Sequence, residues 1–148
     1  MQLLEPTVPL QLTPRHSIAP PARPSRPEPA PRVLAVILDR DDIDLTLPAA
    51  VALARDERLE LCVAVIRPRP PWSADAERCA VLAEEVDRQV GELLHGVAAV
   101  TAGADVSPLI TVHLVAGLGG PYRRALLECT VSHLARRYDA QPLGTWAA

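Results

Sequence analysis

The stretch Val33-Leu34-Ala35-Val36-Ile37-Leu38 is a continuous apolar run that ends at Asp39. An unbroken run of this length is typical of a strand covered on both faces, as the parallel strands of α/β sheets are. A second run of the same kind occupies residues 61–66. Two such strands on either side of a helix predict a right-handed βαβ unit, with the first strand at the centre of the sheet.

Three amphipathic segments supply the helices of such a fold. Thr46 is a candidate N-cap for the first helix, with Pro48 in its first turn, and Ser73 is a candidate N-cap for the second. The second and third helices carry apolar stripes at helical spacing. These stripes are Leu82, Val86, Val90, Leu93 and Val97 in the second helix, and Leu127, Val131, Leu134 and Tyr138 in the third.

Residues 109–115 form the third predicted strand, and residues 142–146 a short edge strand. We therefore predict an α/β fold, a flavodoxin-like or Rossmann-like three-layer sandwich with a mostly parallel sheet. A parallel crossover needs about a dozen residues beyond the strand itself. Residues 96–108 are therefore too few to hold both a further strand and its crossover.

Prolines divide the chain into two parts. Nine of the sixteen prolines lie in residues 1–31. Proline fixes φ and removes backbone donors, and few apolar groups are present to offset the ordering entropy. Residues 1–31 are therefore predicted to be a disordered tail, and residues 32–148 a single domain.

Composition excludes several classes of protein. The net charge is −3 without a cluster of positive charge, which argues against nucleic-acid binding. The three cysteines are an odd number without C-x-x-C spacing, which argues against a disulfide framework or a zinc site. No apolar run approaches the ~20 residues that span a bilayer. We expect a cytoplasmic protein with no membrane partner.

A loop motif follows the third predicted strand. Ala116-Gly117-Leu118-Gly119 is followed, after nine residues, by Cys129-Thr130. This spacing resembles the phosphate loop of the universal stress protein family, G-x2-G-x9-G-[S/T]. Gly119 and Thr130 match in residue type, whereas Ala116 and Cys129 replace glycines.

The resemblance implies an adenine-nucleotide site for ATP. In the ATP-binding branch of the family an Asp at the end of the first strand holds the adenosine, and Asp39 occupies that place. Gly119, Thr130 and the neighbouring Val131 are the implied contacts in the loop and at the start of the last helix. Arg123 and Arg124 lie near the loop as additional charge.

The resemblance also implies a third strand and a third helix before the strand that leads into the loop, so this third βα unit is shortened to residues 97–101 or missing. An alternative register follows from this. It makes residues 110–116 the third strand and residues 123–138 the third helix, so that the chain stops before the phosphate loop. The gapless spacing from Ala116 to Leu143 favours the loop register.

Catalytic interpretations are weaker. Cys129 and His133 have the i, i+4 spacing of a thiolate pair, but a small residue packed beside a surface histidine explains them as well. His113 is expected to be a core histidine.

We expect a regulatory, non-enzymatic module of stress response that binds adenine nucleotide. The alternative is a degenerate member that acts through an unidentified protein partner. The resemblance also implies a homodimer through the last strand.

Overall fold

The computed structural model describes residues 31–147, so the predicted tail lies outside the described residues except for Pro31. A parallel sheet of four strands, in the order Leu109–Val115, Glu60–Pro68, Arg32–Ile37 and Ala140–Leu143, carries three helices. Among the described residues, no helix is both long and apolar enough to cross a bilayer. The elements are β1 Arg32–Ile37, α1 Arg40–Asp56, β2 Glu60–Pro68, α2 Ala76–Gly103, β3 Leu109–Val115, α3 Arg123–Tyr138 and β4 Ala140–Leu143.

The predicted first strand is central, as expected. β1 pairs with β2 on one side and with β4 on the other, and Arg32 is in register with both Glu60 and Ala140. The side chains from Val33 to Ile37 are fully buried. An unbroken apolar run fits this position because both faces of the strand are covered.

Alternate residues of β1 enter two separate cores. Val33, Ala35 and Ile37 pack with α1 and α2, and Leu34 and Val36 pack with α3. Helices therefore cover both faces of the sheet, and the predicted α/β sandwich of flavodoxin-like or Rossmann-like type is confirmed.

The segment of residues 96–108, which is too short for a strand and a crossover, begins within α2. The helix continues to Gly103, and a short connection then leads into β3. Val97 is fully buried, and the Thr101 hydroxyl donates to the Val97 carbonyl at 2.9 Å, as in a helix. Residues 97–101 are thus helical, and the described residues hold four strands rather than the five of flavodoxin.

Helix α1 begins six residues before the predicted cap, so the prediction for Thr46 is wrong. Asp39 is the N-cap, and its Oδ1 accepts from the Asp42 N–H at 3.2 Å. The Asp42 carboxylate in turn accepts from the Asp39 N–H, which completes a capping box. Thr46 is buried within the helix, and its hydroxyl donates to Asp42 at 3.3 Å. Pro48 also lies inside the helix.

Helix α2 is capped by Asp75 rather than by Ser73. The Asp75 carboxylate accepts from the backbone N–H groups of Glu77 and Arg78, and Ser73 supports the turn by accepting from the Asp75 N–H. The apolar stripe of α2 is unequally buried. Leu93 and Val97 are buried, whereas the other predicted members, Leu82, Val86 and Val90, are half-buried.

Replacing Gly91 with alanine is expected to stabilise the protein by about 0.5–1 kcal/mol. Gly91 is exposed in the interior of α2, and an added Cβ would meet no atom within 4 Å. The change removes the entropic cost of a glycine in a helix. Urea unfolding measures the effect. Gly96→Ala is the control, because its Cβ would lie 2.9 Å from Ile43 Cδ1, and it should gain less. A loss of stability in Gly91→Ala would contradict the prediction.

Candidate ligand site at the C-terminal edge of the sheet

A cleft opens at the C-terminal edge of the sheet, between the segments that follow β2 and β3. In open parallel sheets ligands bind at this edge. Its volume, about 780 Å³, is within the range of small-molecule sites. The lining residues are Pro68, Arg69, Pro70, Pro71, Trp72, Cys79, Ala116, Gly117, Leu118, Gly119 and Gly120.

The glycine-rich loop of residues 116–120 forms one wall of the cleft. Gly117 has φ +79°, a conformation that favours glycine. The Gly120 N–H donates to the Gly117 carbonyl at 3.0 Å and closes the turn. Leu118 is buried in the core beneath α3 and anchors the loop. The loop is therefore a defined turn that lines the cleft.

The proline-rich segment after β2 forms the opposite wall. The Arg69 N–H donates to the Val115 carbonyl at 3.0 Å, so the two walls are joined at their base. Pro70 and Pro71 restrict the backbone that follows. Trp72 is 88% exposed and lines the cleft.

Positive charge lies near the glycine-rich loop. Helix α3 begins at Arg123 directly after the loop, and its first turn holds no acidic residue. The Arg123 guanidinium donates to the Leu118 carbonyl at 3.5 Å. Within residues 31–147, neither Arg69 nor Arg123 forms an ion pair, whereas Arg124 pairs with Glu128 at 3.4 Å. Cationic groups without a carboxylate partner therefore lie on both sides of the cleft.

The structure places Asp39 and Gly119 at the same edge but not side by side. Asp39 follows β1 and Gly119 follows β3, with β2 between them. Two strand spacings separate their strands by about 10 Å. The Asp39 carboxylate caps α1, and Gly119 is exposed in the loop with open space at its Cβ position. Of the loop glycines, Gly117 rather than Gly119 has the positive φ.

Thr130 and Val131 lie away from this edge. Helix α3 begins at Arg123, so the expectation that the last helix starts near Thr130 is wrong, and the elements follow the alternative register. At 1.5 Å per residue Thr130 lies about 10 Å along the helix from Arg123. Its side chain is half-buried, and Val131 is buried in the core between α3 and the sheet. The loop and these two residues are not brought together.

Two side chains that the sequence analysis did not select organise the edge. Asp42 is only 2% exposed, and its carboxylate accepts from the Leu38 N–H and from the Thr145 hydroxyl, each at 2.8 Å. Arg67 donates to the Leu38 carbonyl at 2.9 Å and to Gln89 Oε1 at 2.7 Å. Its Nε is buried without a partner among the described residues. These contacts tie the ends of β1 and β2 to β4 and α2.

Arg69 and Trp72 were also missed by the sequence analysis. The available signal is the sequence Arg67-Pro-Arg-Pro-Pro-Trp72, in which arginines and a tryptophan follow a buried strand. Residues directly after a parallel strand lie at the ligand-binding edge.

Comparisons of the chain with protein-family models, with curated proteins and with solved structures found no match. The resemblance to universal stress proteins therefore rests on the loop spacing and on the position of Asp39.

The catalytic candidates are not assembled into a site. Cys129 and His133 are exposed in the middle of α3 rather than at its start. Burial, followed by the charges of Arg137 and His133, lowers the pKa of His113, whose Nε2 lies 2.9 Å from the Thr111 hydroxyl. Within the part of the chain that the structure describes, no group of three or more His, Cys, Asp and Glu side chains is placed to hold a metal ion.

Proposed function

We propose that the protein is a regulatory, non-enzymatic module that binds an adenine nucleotide, with ATP as the first ligand to test. The observation that carries the proposal is the cleft at the C-terminal edge of the sheet. It sets the glycine-rich loop opposite an exposed tryptophan. The loop spacing shared with universal stress proteins is the reason for testing adenine nucleotides first, and the same resemblance suggests a cytoplasmic role in stress response.

The loop side of the cleft is suited to phosphate. Glycines permit the close approach of backbone N–H groups to an anion, and Gly117 to Gly120 bring three glycines to the wall. The positive end of the α3 dipole lies directly after the loop. Across the cleft, Arg69 on the facing wall adds a guanidinium that pairs with no carboxylate of the described residues.

The opposite wall is suited to a base. The exposed Trp72 ring offers a flat surface for stacking, which contributes about 1–3 kcal/mol per base in nucleic-acid sites. In this arrangement Trp72 contacts the base and the loop contacts the phosphates. Asp39 remains about two strands away, and Thr130 has no part in the contact.

ATP is expected to raise the stability of the protein by linkage, by about 2.7 kcal/mol when the ligand is a hundredfold above its Kd. Thermal melts with and without millimolar ATP measure the shift. Trp72→Ala should reduce the shift by weakening binding. The matched control is Tyr122→Ala, an aromatic residue that is 74% exposed but does not line the cleft.

The outcomes separate two locations of the site. Loss of the shift in Trp72→Ala and its retention in Thr130→Ala support the cleft. The opposite pattern would place the nucleotide at the residues that the family resemblance implies and would overturn the proposed cleft. No shift in the wild-type protein would rule out nucleotide binding and leave the alternative, a module that acts through protein contacts. The exposed apolar side chains of β3 favour that alternative.

A further inference from the structure

The outer strand β3 is an unusually apolar sheet edge. Four of the eight large hydrophobic side chains that are exposed in residues 31–147 belong to it, with exposures of 36–49%. They are Leu109, Ile110, Val112 and Leu114. The strand contains neither a charged residue nor a proline. Soluble proteins usually protect edge strands with such residues. β3 therefore has the features of a strand that another segment or another chain covers in the functional protein.

Three of the four exposed side chains of β3, those of Ile110, Val112 and Leu114, continue one face of the sheet. Ile110 is in register with Val63 and Val112 with Val65, and both valines belong to the core beneath α1 and α2. Ile110 and Val112 are therefore on the same face as that core, beyond the part that α2 covers. The surface combines a row of outward backbone groups with an apolar side, which is suited to the addition of another strand.

We propose that β3 pairs antiparallel with β3 of a second copy, so that two sheets join across a two-fold axis at Val112. The sequence of β3 is self-complementary about this residue. Two-fold symmetry brings the same surface of each copy together, and an antiparallel pair sets opposite residues on the same face. It pairs Val112 with its own copy, Ile110 with Leu114, Thr111 with His113, and Leu109 with Val115.

Two other arrangements fit the same residues less well. The predicted seam at the last strand has only the four residues Ala140–Leu143, of which Pro142 lacks a donor. Residues 1–31 contain no proline-free run longer than five residues, whereas β3 is seven residues long. Neither offers an uninterrupted row of donors. The second copy of β3 offers one together with matching apolar side chains.

The proposed seam also adjoins the cleft. Residue 109 of the second copy would face Val115, whose carbonyl accepts from the Arg69 N–H at the base of the cleft. The proposal rests on the exposed edge and not on nucleotide binding, so the two can be tested separately.

The test uses the full chain at micromolar concentration and light scattering. The wild-type protein is expected to have twice the 15.9 kDa mass of one chain. Val112→Arg should halve the measured mass, because two like charges would meet directly at the two-fold axis. Leu45→Arg is the matched control, since Leu45 is exposed on α1 away from the seam, and it should remain a dimer. Melting curves verify that Val112→Arg is folded.

A cross-link tests the register without disturbing the edge. Cys129, the exposed native thiol, is first replaced by serine. In that protein Val112→Cys should form an intermolecular disulfide under mild oxidation, whereas Leu45→Cys should not. A monomeric wild-type protein would overturn the proposal. So would a dimer that survives Val112→Arg, or a monomer in which the Val112→Cys thiol resists alkylation because another segment covers the edge.

Discussion

Replacing Asp42 with alanine is expected to lower the free energy of unfolding by about 3 kcal/mol or more. The carboxylate is buried and accepts from the Leu38 and Asp39 N–H groups and from the hydroxyls of Thr46 and Thr145. Its removal leaves several donors without partners, and each buried donor without a partner costs about 1–3 kcal/mol. The change also removes half of the α1 capping box.

Urea unfolding monitored by circular dichroism measures this effect. Asp41→Ala is the matched control, since Asp41 is exposed in the same first turn and should change stability by less than about 1 kcal/mol. Asp42→Asn should fall between the two, because an amide keeps one acceptor oxygen but adds donors where acceptors are needed. Equal stabilities of Asp42→Ala and Asp41→Ala would show that the buried network contributes little.

The second large effect is expected at Leu47. Leu47→Ala should cost about 3–4 kcal/mol, because the side chain is fully buried between α1 and the sheet and its removal leaves a cavity. Leu45 provides a control of the same residue type two positions away, at 69% exposure. Leu45→Ala should change stability by no more than about 0.5 kcal/mol.

The free energies of unfolding of the two leucine variants are compared by chemical denaturation, with one common m-value for the dependence on denaturant concentration. If Leu45→Ala proved as costly as Leu47→Ala, α1 would bury the opposite face or a second molecule would cover Leu45. The pair therefore tests the orientation of α1 directly.

The strands and their layering are predictable from sequence because burial on two faces leaves an unbroken apolar run. β3 has the predicted bounds, β1 is shifted by one residue towards the N-terminus, and β2 extends the predicted run by one residue at its start and two at its end. The helix starts are less predictable. Asp39 and Thr46 are both good capping residues, and Asp42, which completes the capping box of Asp39, is also held by Thr145 from 103 residues away.

The candidate site is less predictable than the fold. Glycine spacing describes a loop but does not fix which strand precedes it, and here the loop follows the edge strand β3. The sequence therefore selects Gly119 and its neighbours as part of a ligand wall. It does not reveal that Trp72 and Arg69 form the facing wall, since that depends on the order of the strands.

The two-sided burial of β1 also has a consequence for synthesis of the chain. The buried members of the core beneath α1 and α2 all lie between residues 33 and 97. The opposite core needs Leu127, Val131 and Leu134 of α3. A chain growing from its N-terminus thus completes one face of the sheet while Leu34, Val36 and Ile66 are still uncovered. Contacts between distant residues slow folding, and exposed apolar surface invites aggregation. The nascent protein is most vulnerable in the interval before α3 emerges.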